Sequence, residues 1–320
     1  MRYASQALRQ FARDLLMGAH LEQDVATVVA DILVEGDLLG HDTHGLALLA
    51  PYLRELEAGT MTRSGQHQVV NERAAGAVWD GRRLPGPWLT QLAVDDAIER
   101  ARRCGTGTVV IRRSHHIACL AAYLQRATER GFVLLVSCSD PNAASVAPHG
   151  GTQPVFTPDP IAFGFPTAHD PVLIDLSASL TTNGMTARLH KSGQRLAHRW
   201  LLTADGNATD DPAVLFSEPR GTILPTGGID AGHKGYALAL IVEILTGALA
   251  GHGRADAKEG WGATVFVQAI DPASFGGLDA FTRQAESIAQ ACRDNRPRHQ
   301  CGFYSCRWKP FPMRRHENSG

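Results

Sequence analysis

Four short stretches carry residue types that can move a proton or hold an anion. They are His41, Asp42, Thr43 and His44; Ser114, His115 and His116; Asp175 within the run LIDLSAS; and His233 with Lys234. A histidine with a hydroxyl and a carboxylate nearby delivers or removes a proton around neutral pH, which is what reduction of a carbonyl needs at the oxygen. By residue type alone each stretch also has a structural reading. His44 fits a helix cap or a core histidine equally well, and Ser114 to His116 fit a polar strand end. Asp175, flanked by Leu173, Ile174 and Leu176, fits a buried carboxylate satisfied by backbone N–H groups. Lys234 is either a solvated side chain or a phosphate ligand at the start of a helix, where the dipole favours an anion.

Other chemistries leave weaker traces. His41 and His44 have the spacing of a metal-ligand pair, which makes a metal-dependent hydrolase the alternative function. No third ligand stands at short spacing, so no metal ligands are assigned. The close glycine pair Gly105 and Gly107 precedes a strand-like run, whereas a dinucleotide fingerprint must precede a helix. A Walker A lysine, a nucleophile elbow and paired CxxC motifs are all missing.

The elements that must position these residues alternate in type. Residues 2–40 read as two amphipathic helices, with Leu8, Phe11, Leu15 and then Val25, Val29, Ile32 on apolar faces. A strand and turn follow at 74–86, a helix at 88–103, a strand at 105–114, a helix at 119–130 and an almost wholly apolar strand at 131–140. A Pro-, Gly- and Ala-rich run leads to a strand at 171–179, a polar hairpin-like region and a long apolar helix beginning at His233. WGATVFVQAI is the last recognisable element. The pattern predicts mixed α/β architecture with a buried sheet.

The chain has 320 residues, 44% hydrophobic and 20% charged, with mean hydropathy −0.14, which excludes fibrous and disordered classes. Its longest apolar stretches fall short of the roughly 20 residues a bilayer needs, and its N-terminus is amphipathic where a signal peptide is apolar. Six sparse cysteines fit a reducing compartment. A cytoplasmic protein is therefore expected. Net charge −1 argues against nucleic acid or an acidic membrane as partner. Residues 293–320 depart from the rest, at +5 against −6 for residues 1–292. A shifted reading frame would produce such a segment.

Six pieces in order, GHDTHGLALLAPYLRELEAG, VVIRRSHHIACLAAYLQRATERGF, VAPHGGTQPVFTPDPIAFGFP, LIDLSAS with NGM, TADGNATDDP and HKGYALALIVEILTGALAGHG, resemble the type 2 malate/L-lactate dehydrogenase family. The resemblance runs from about residue 4 to about 292. It implies NAD or NADP without a Rossmann fold, a largely antiparallel sheet with an N-terminal helical part, and a homodimer. It also implies hydride transfer to C2 of a small 2-oxo acid or cyclic 2-imino acid, or the reverse. By motif, His44 would be the general acid/base with Thr43 beside it, and Asp175 would support it or anchor the nicotinamide half. His116, Ala118, Cys119 and Leu120, then Ile174, Asp175, Leu176, Ser177 and Ser179, would line the dinucleotide, with His233 and Lys234 facing it.

Three departures stand out. Leu48 replaces an arginine that commonly holds the substrate carboxylate. Thr157, Pro158, Asp159 and Pro160 replace GTNP. The C-terminal segment lacks the family's proline-glycine turn and terminal helix, so an inactive dimeric relative is a further alternative. The expected organisation is a helical part at 1–75, a cofactor-binding α/β domain at 76–245, a return to the core at 246–292 and a basic tail at 293–320.

Overall fold

The computed structural model describes residues 3–256 and 258–296. The N-terminal helices α1 (Ser5–Gly18) and α2 (Gln23–Leu38) pack through Ala12 and Leu16 on one and Val25, Val29 and Leu33 on the other. Arg9 ties them together, reaching Asp31 and Glu35 at 3.0 Å each. A 3₁₀ turn at Leu46–Leu48 leads into α3 (Leu49–Ala58).

The sheet begins with β1 (Gln68–Arg73) and β2 (Gly76–Asp80). It continues through β3 (Thr106–Ser114), reached by way of α4 (Gly86–Cys104). Then come α5 (Ala121–Thr128), β4 (Val133–Ser139), β5 (Pro160–Phe165) and β6 (Val172–Ser177). Next are α6 (Asn183–Lys191), β7 (Leu201–Leu202), β8 (Ala208–Thr209), β9 (Thr222–Ile223), α7 (Gly228–Ala231) and α8 (His233–Glu243). The chain closes with β10 (Ala263–Ile270) and α9 (Leu278–Arg293).

The order in the seven-stranded sheet is β1-β2-β3-β10-β4-β5-β6, and only β2 and β3 run parallel. The parallel pair needs a crossover, and α4 supplies it. β3 and β10 are covered on both faces, which explains their unbroken apolar runs. Val109, Ile111, Val265 and Val267 join the core under α2, α4 and α5, whereas Val110 and Phe266 meet Ala250 on the other face. A second sheet, β8-β7-β9, sits over a smaller cluster that includes Val146, Phe156, Leu201, Ile223 and Ala239.

The mixed α/β architecture is the expected one, with three local differences. β1 is exposed along its whole length and carries a bulge between Val69 and Asn71, so no hydrophobic alternation announces it. The long apolar helix changes winding at Ile244–Ala248 into a π-helical stretch, where Thr246 Oγ1 donates to Val242 O at 2.7 Å. α9 follows β10, where the sequence reading stopped. The expectations for the tail lie, beyond residue 296, outside the described residues.

Candidate active site

The loop after α2 is shaped by Asp37. Its carboxylate accepts the Leu46 N–H at 3.0 Å, and a Cβ on Gly45 would lie 2.0 Å from the same carboxylate. Glycine is thus required where the chain turns from His44 into α3. On that loop Thr43 Oγ1 lies 2.9 Å from His44 Nδ1, which leaves Nε2 as the nitrogen free to meet a reacting atom. Burial, and then the charge of His41, lower the His44 pKa to about 4, so the ring is neutral at pH 7.

His116, carried by the loop after β3, stacks beside His44 with ring centroids 5.9 Å apart and planes at 26°. Its Nδ1 accepts the Ala118 N–H at 3.2 Å, so that nitrogen carries no proton. The Tyr52 hydroxyl lies 2.9 Å from the same nitrogen and donates to the His116 carbonyl oxygen at 3.1 Å, and the ring proton sits on Nε2. Ala118 takes a left-handed φ of +61° to make this contact, a costly conformation for a residue with a Cβ. Trp261 closes the other side of His116 at 4.8 Å between centroids. His115 is fully buried, faces Glu55 at 3.4 Å, and burial outweighs that carboxylate in lowering its pKa to about 4.

Asp175 sits on β6 and accepts the Ala121 N–H at 2.9 Å, with Cys119 Sγ at 3.8 Å. These are the backbone partners its burial demands. Burial pushes its carboxyl up from the ordinary range, and the charge of His41 and the amide donors pull it back. Ala118, Cys119 and Leu120 are buried in the core. Strand alternation turns Ile174 and Leu176 outward, on the face opposite Asp175. The run from Ile174 to Ser179 therefore does not offer one continuous surface. The Ser177 and Ser179 hydroxyls donate to Ser179 O and Thr181 O, at 2.8 and 2.7 Å.

His233 and Lys234 are exposed at the start of α8. α8 is docked on the chain leaving β6, because a Cβ on Gly235 would come within 2.3 Å of Thr226 N and 2.6 Å of Ala178 O. Its first-turn amides are partly engaged: Gly235 N donates to Thr226 O at 3.0 Å and Tyr236 N to Gly232 O at 2.9 Å. An anion there would depend on the Lys234 ammonium more than on free helix donors. His149 stands 5.8 Å from His233 between ring centroids.

The structure adds residues that the sequence did not single out. Tyr52 and Trp261 flank His116, and Arg188 of α6 reaches Asp42 at 2.8 Å, over the His44 loop. Tyr52 reads as core because it shares a helical face with Leu49 and Leu56. Trp261 lies far along the chain with no local signal. Arg188, within ARLHK, looks like an ordinary solvated helix end.

Two neutral histidines, His44 and His116, thus stand side by side in a mixed α/β fold. The chain belongs to the malate/L-lactate dehydrogenase family, whose model matches residues 3–302. An L-lactate dehydrogenase of Cupriavidus necator is 33% identical over 304 residues, 93% of this chain and 86% of that protein. A (2R)-3-sulfolactate dehydrogenase (NADP(+)) of Chromohalobacter salexigens is 34% identical over 278 residues, 83% and 79% of the two chains. A Δ1-piperideine-2-carboxylate reductase of Pseudomonas syringae superposes with TM-score 0.80 at 28% identity, over 91% of this chain and 88% of that one. The protein is therefore an enzyme of the dehydrogenase type. These relatives give no support to the hydrolase reading, and His41 meets Cys119 and Asp175 as possible ligand partners, in a group that does not include His44.

Proposed function

We propose that the enzyme transfers a hydride between NADH or NADPH and C2 of a small 2-oxo acid or cyclic 2-imino acid. The observation that carries this is the pairing of His44 and His116, both neutral and both held by named partners, in a chain of this family. The residues present suit a dinucleotide. The exposed cation Lys234, with His233 beside it, suits a phosphate. When bound, the nicotinamide supplies or accepts the hydride.

The chain's own residues handle the proton. Thr43 fixes His44 through Nδ1, so Nε2 takes the proton from a C2 hydroxyl in oxidation and returns it in reduction. Neutral His44 is ready for the oxidative direction. In reduction, a substrate carboxylate beside the ring raises its pKa toward the working range. Asp175 orients the neighbouring backbone of residues 119–121, and Tyr52 holds His116. Leu48, half-buried, supplies no guanidinium, so Arg188 is the cation we assign to the substrate carboxylate.

The apolar surface at Leu48 favours the cyclic imino acid as a second reading of the same site. An assay of both substrate classes with each reduced cofactor, followed by nicotinamide absorbance, tests the proposal. Turnover of one class supports it, and no turnover of either rejects it. We further assign residues 76–245 to cofactor binding, and residues 1–75 and 246–292 to the catalytic core. Among the described residues no helix is long and apolar enough to cross a membrane. We place the enzyme in the cytoplasm and expect a homodimer, for which the exposed apolar stripe Leu240, Ile241, Ile244 and Leu249 is the supporting surface.

A further inference from the structure

We propose that His41, Cys119 and Asp175 form a binding site for one soft divalent cation, Zn²⁺ being the best fit, and that its occupation inhibits the enzyme. The three come from separate elements: His41 from the loop after α2, Cys119 from the turn before α5, Asp175 from β6. One ligand atom of each lies within 4.8 Å of the other two. Zinc bonds of about 2.0–2.3 Å place tetrahedral ligands roughly 3.3–3.7 Å apart, so the group must contract by up to about 1.5 Å. The Cys119–Asp175 pair is nearly there, at 3.8 Å.

The donor set is imidazole nitrogen, thiolate sulfur and carboxylate oxygen. That combination selects Zn²⁺ and similar soft ions over Mg²⁺ or Ca²⁺, and it leaves a fourth position open. Cys119 is buried, and His41 and Asp175 are partly buried beside it. The amides of Ala121 and Ala122, in the first turn of α5, approach the Cys119 sulfur and favour its thiolate. Burial and the charge of Asp175 push the other way, holding the thiol protonated. A divalent cation binding there would displace the thiol proton to solvent and then compensate the thiolate and the Asp175 carboxylate together.

The inhibitory half rests on the function proposed above, since a metal would engage the Asp175 carboxylate that the reaction uses. Metal binding itself does not depend on that function. The test is Co²⁺ titration of the full chain, reading thiolate-to-cobalt charge transfer and the visible bands of four-coordinate cobalt, with Zn²⁺ competition and metal content per chain. The expected result is one ion per chain. Affinity should drop about a hundredfold or more in Cys119→Ala and in His41→Ala, beyond what loss of an outer partner costs. Cys301→Ser/Cys306→Ser should retain the bands. His41→Ala keeps the test decisive if Cys119→Ala does not fold.

No thiolate band in the parent, a band that persists in Cys119→Ala, or one lost with Cys301 and Cys306 overturns the site. Zn²⁺ is also expected to lower dehydrogenase turnover in the parent, and the residual turnover of Cys119→Ala should be insensitive to it. Zn²⁺ bound by the three residues with undiminished turnover overturns the inhibition. If the chain turns over neither substrate class, the functional proposal fails while the cobalt result still decides the site.

Discussion

Asp159 is fully buried at φ +44° and accepts Thr157 Oγ1 at 2.5 Å. Burial and the charge of Glu243 push its carboxyl well above the ordinary range. A group whose folded pKa is raised stabilises the fold at low pH and loses that contribution as pH rises through the folded value. Asp159→Asn keeps the shape without the charge, so its Tm should exceed the parent's at pH 8 and the difference should shrink toward pH 4; thermal melts across that range check it. For His44, alanine should lower kcat by about 10²-fold or more while cofactor binding persists, as read by steady-state kinetics and cofactor fluorescence. Because its pKa is about 4, His44 should impose no fall in oxidation rate between pH 8 and 6. In reduction kcat/KM should climb as pH falls over the same span. Parental turnover in the alanine variant would make His44 structural.

At the scale of elements, α8 and β6 do the positioning. Lys234→Ala should raise the cofactor KM several-fold and leave the substrate KM nearly unchanged; equal effects on both would remove the phosphate role. Further along the same helical run, Ile244 is 62% exposed within an apolar stripe. Ile244→Glu should shift the mass measured by light scattering from dimer to monomer, and an unchanged mass would place the subunit contact elsewhere. Which elements were legible in sequence follows from how each is buried. α1, α2, β3, β4 and β10 meet the core with regular faces or on both sides, so their periodicity is plain. β1 buries almost nothing, so it writes no strong pattern. His44 and His116 stand out in sequence as residue types, and their rings stack in the structure. Tyr52 and Trp261 do not stand out, because their role exists only once distant segments meet. The outward turn of Ile174 and Leu176 follows from strand alternation, which splits that run between the two faces of the sheet.

The whole molecule is organised around one large core that joins α1 to β10, so the helical part is built into the same body as the sheet. Arg83 makes this literal, donating to Thr60 O at 2.7 Å and to Trp261 O at 2.9 Å. The His116 platform is thus completed by a residue that enters late in the chain, through a contact spanning 178 positions. Such closures are slow relative to helix formation, since a long loop must be brought together before any contact rewards it. Refolding should consequently proceed in two visible stages. Helical circular dichroism should recover first, and Trp261 emission should reach its final value together with catalytic turnover in a later phase. A newly made chain would then spend a measurable interval compact and helical yet inert, its chemistry waiting on the arrival of a single indole.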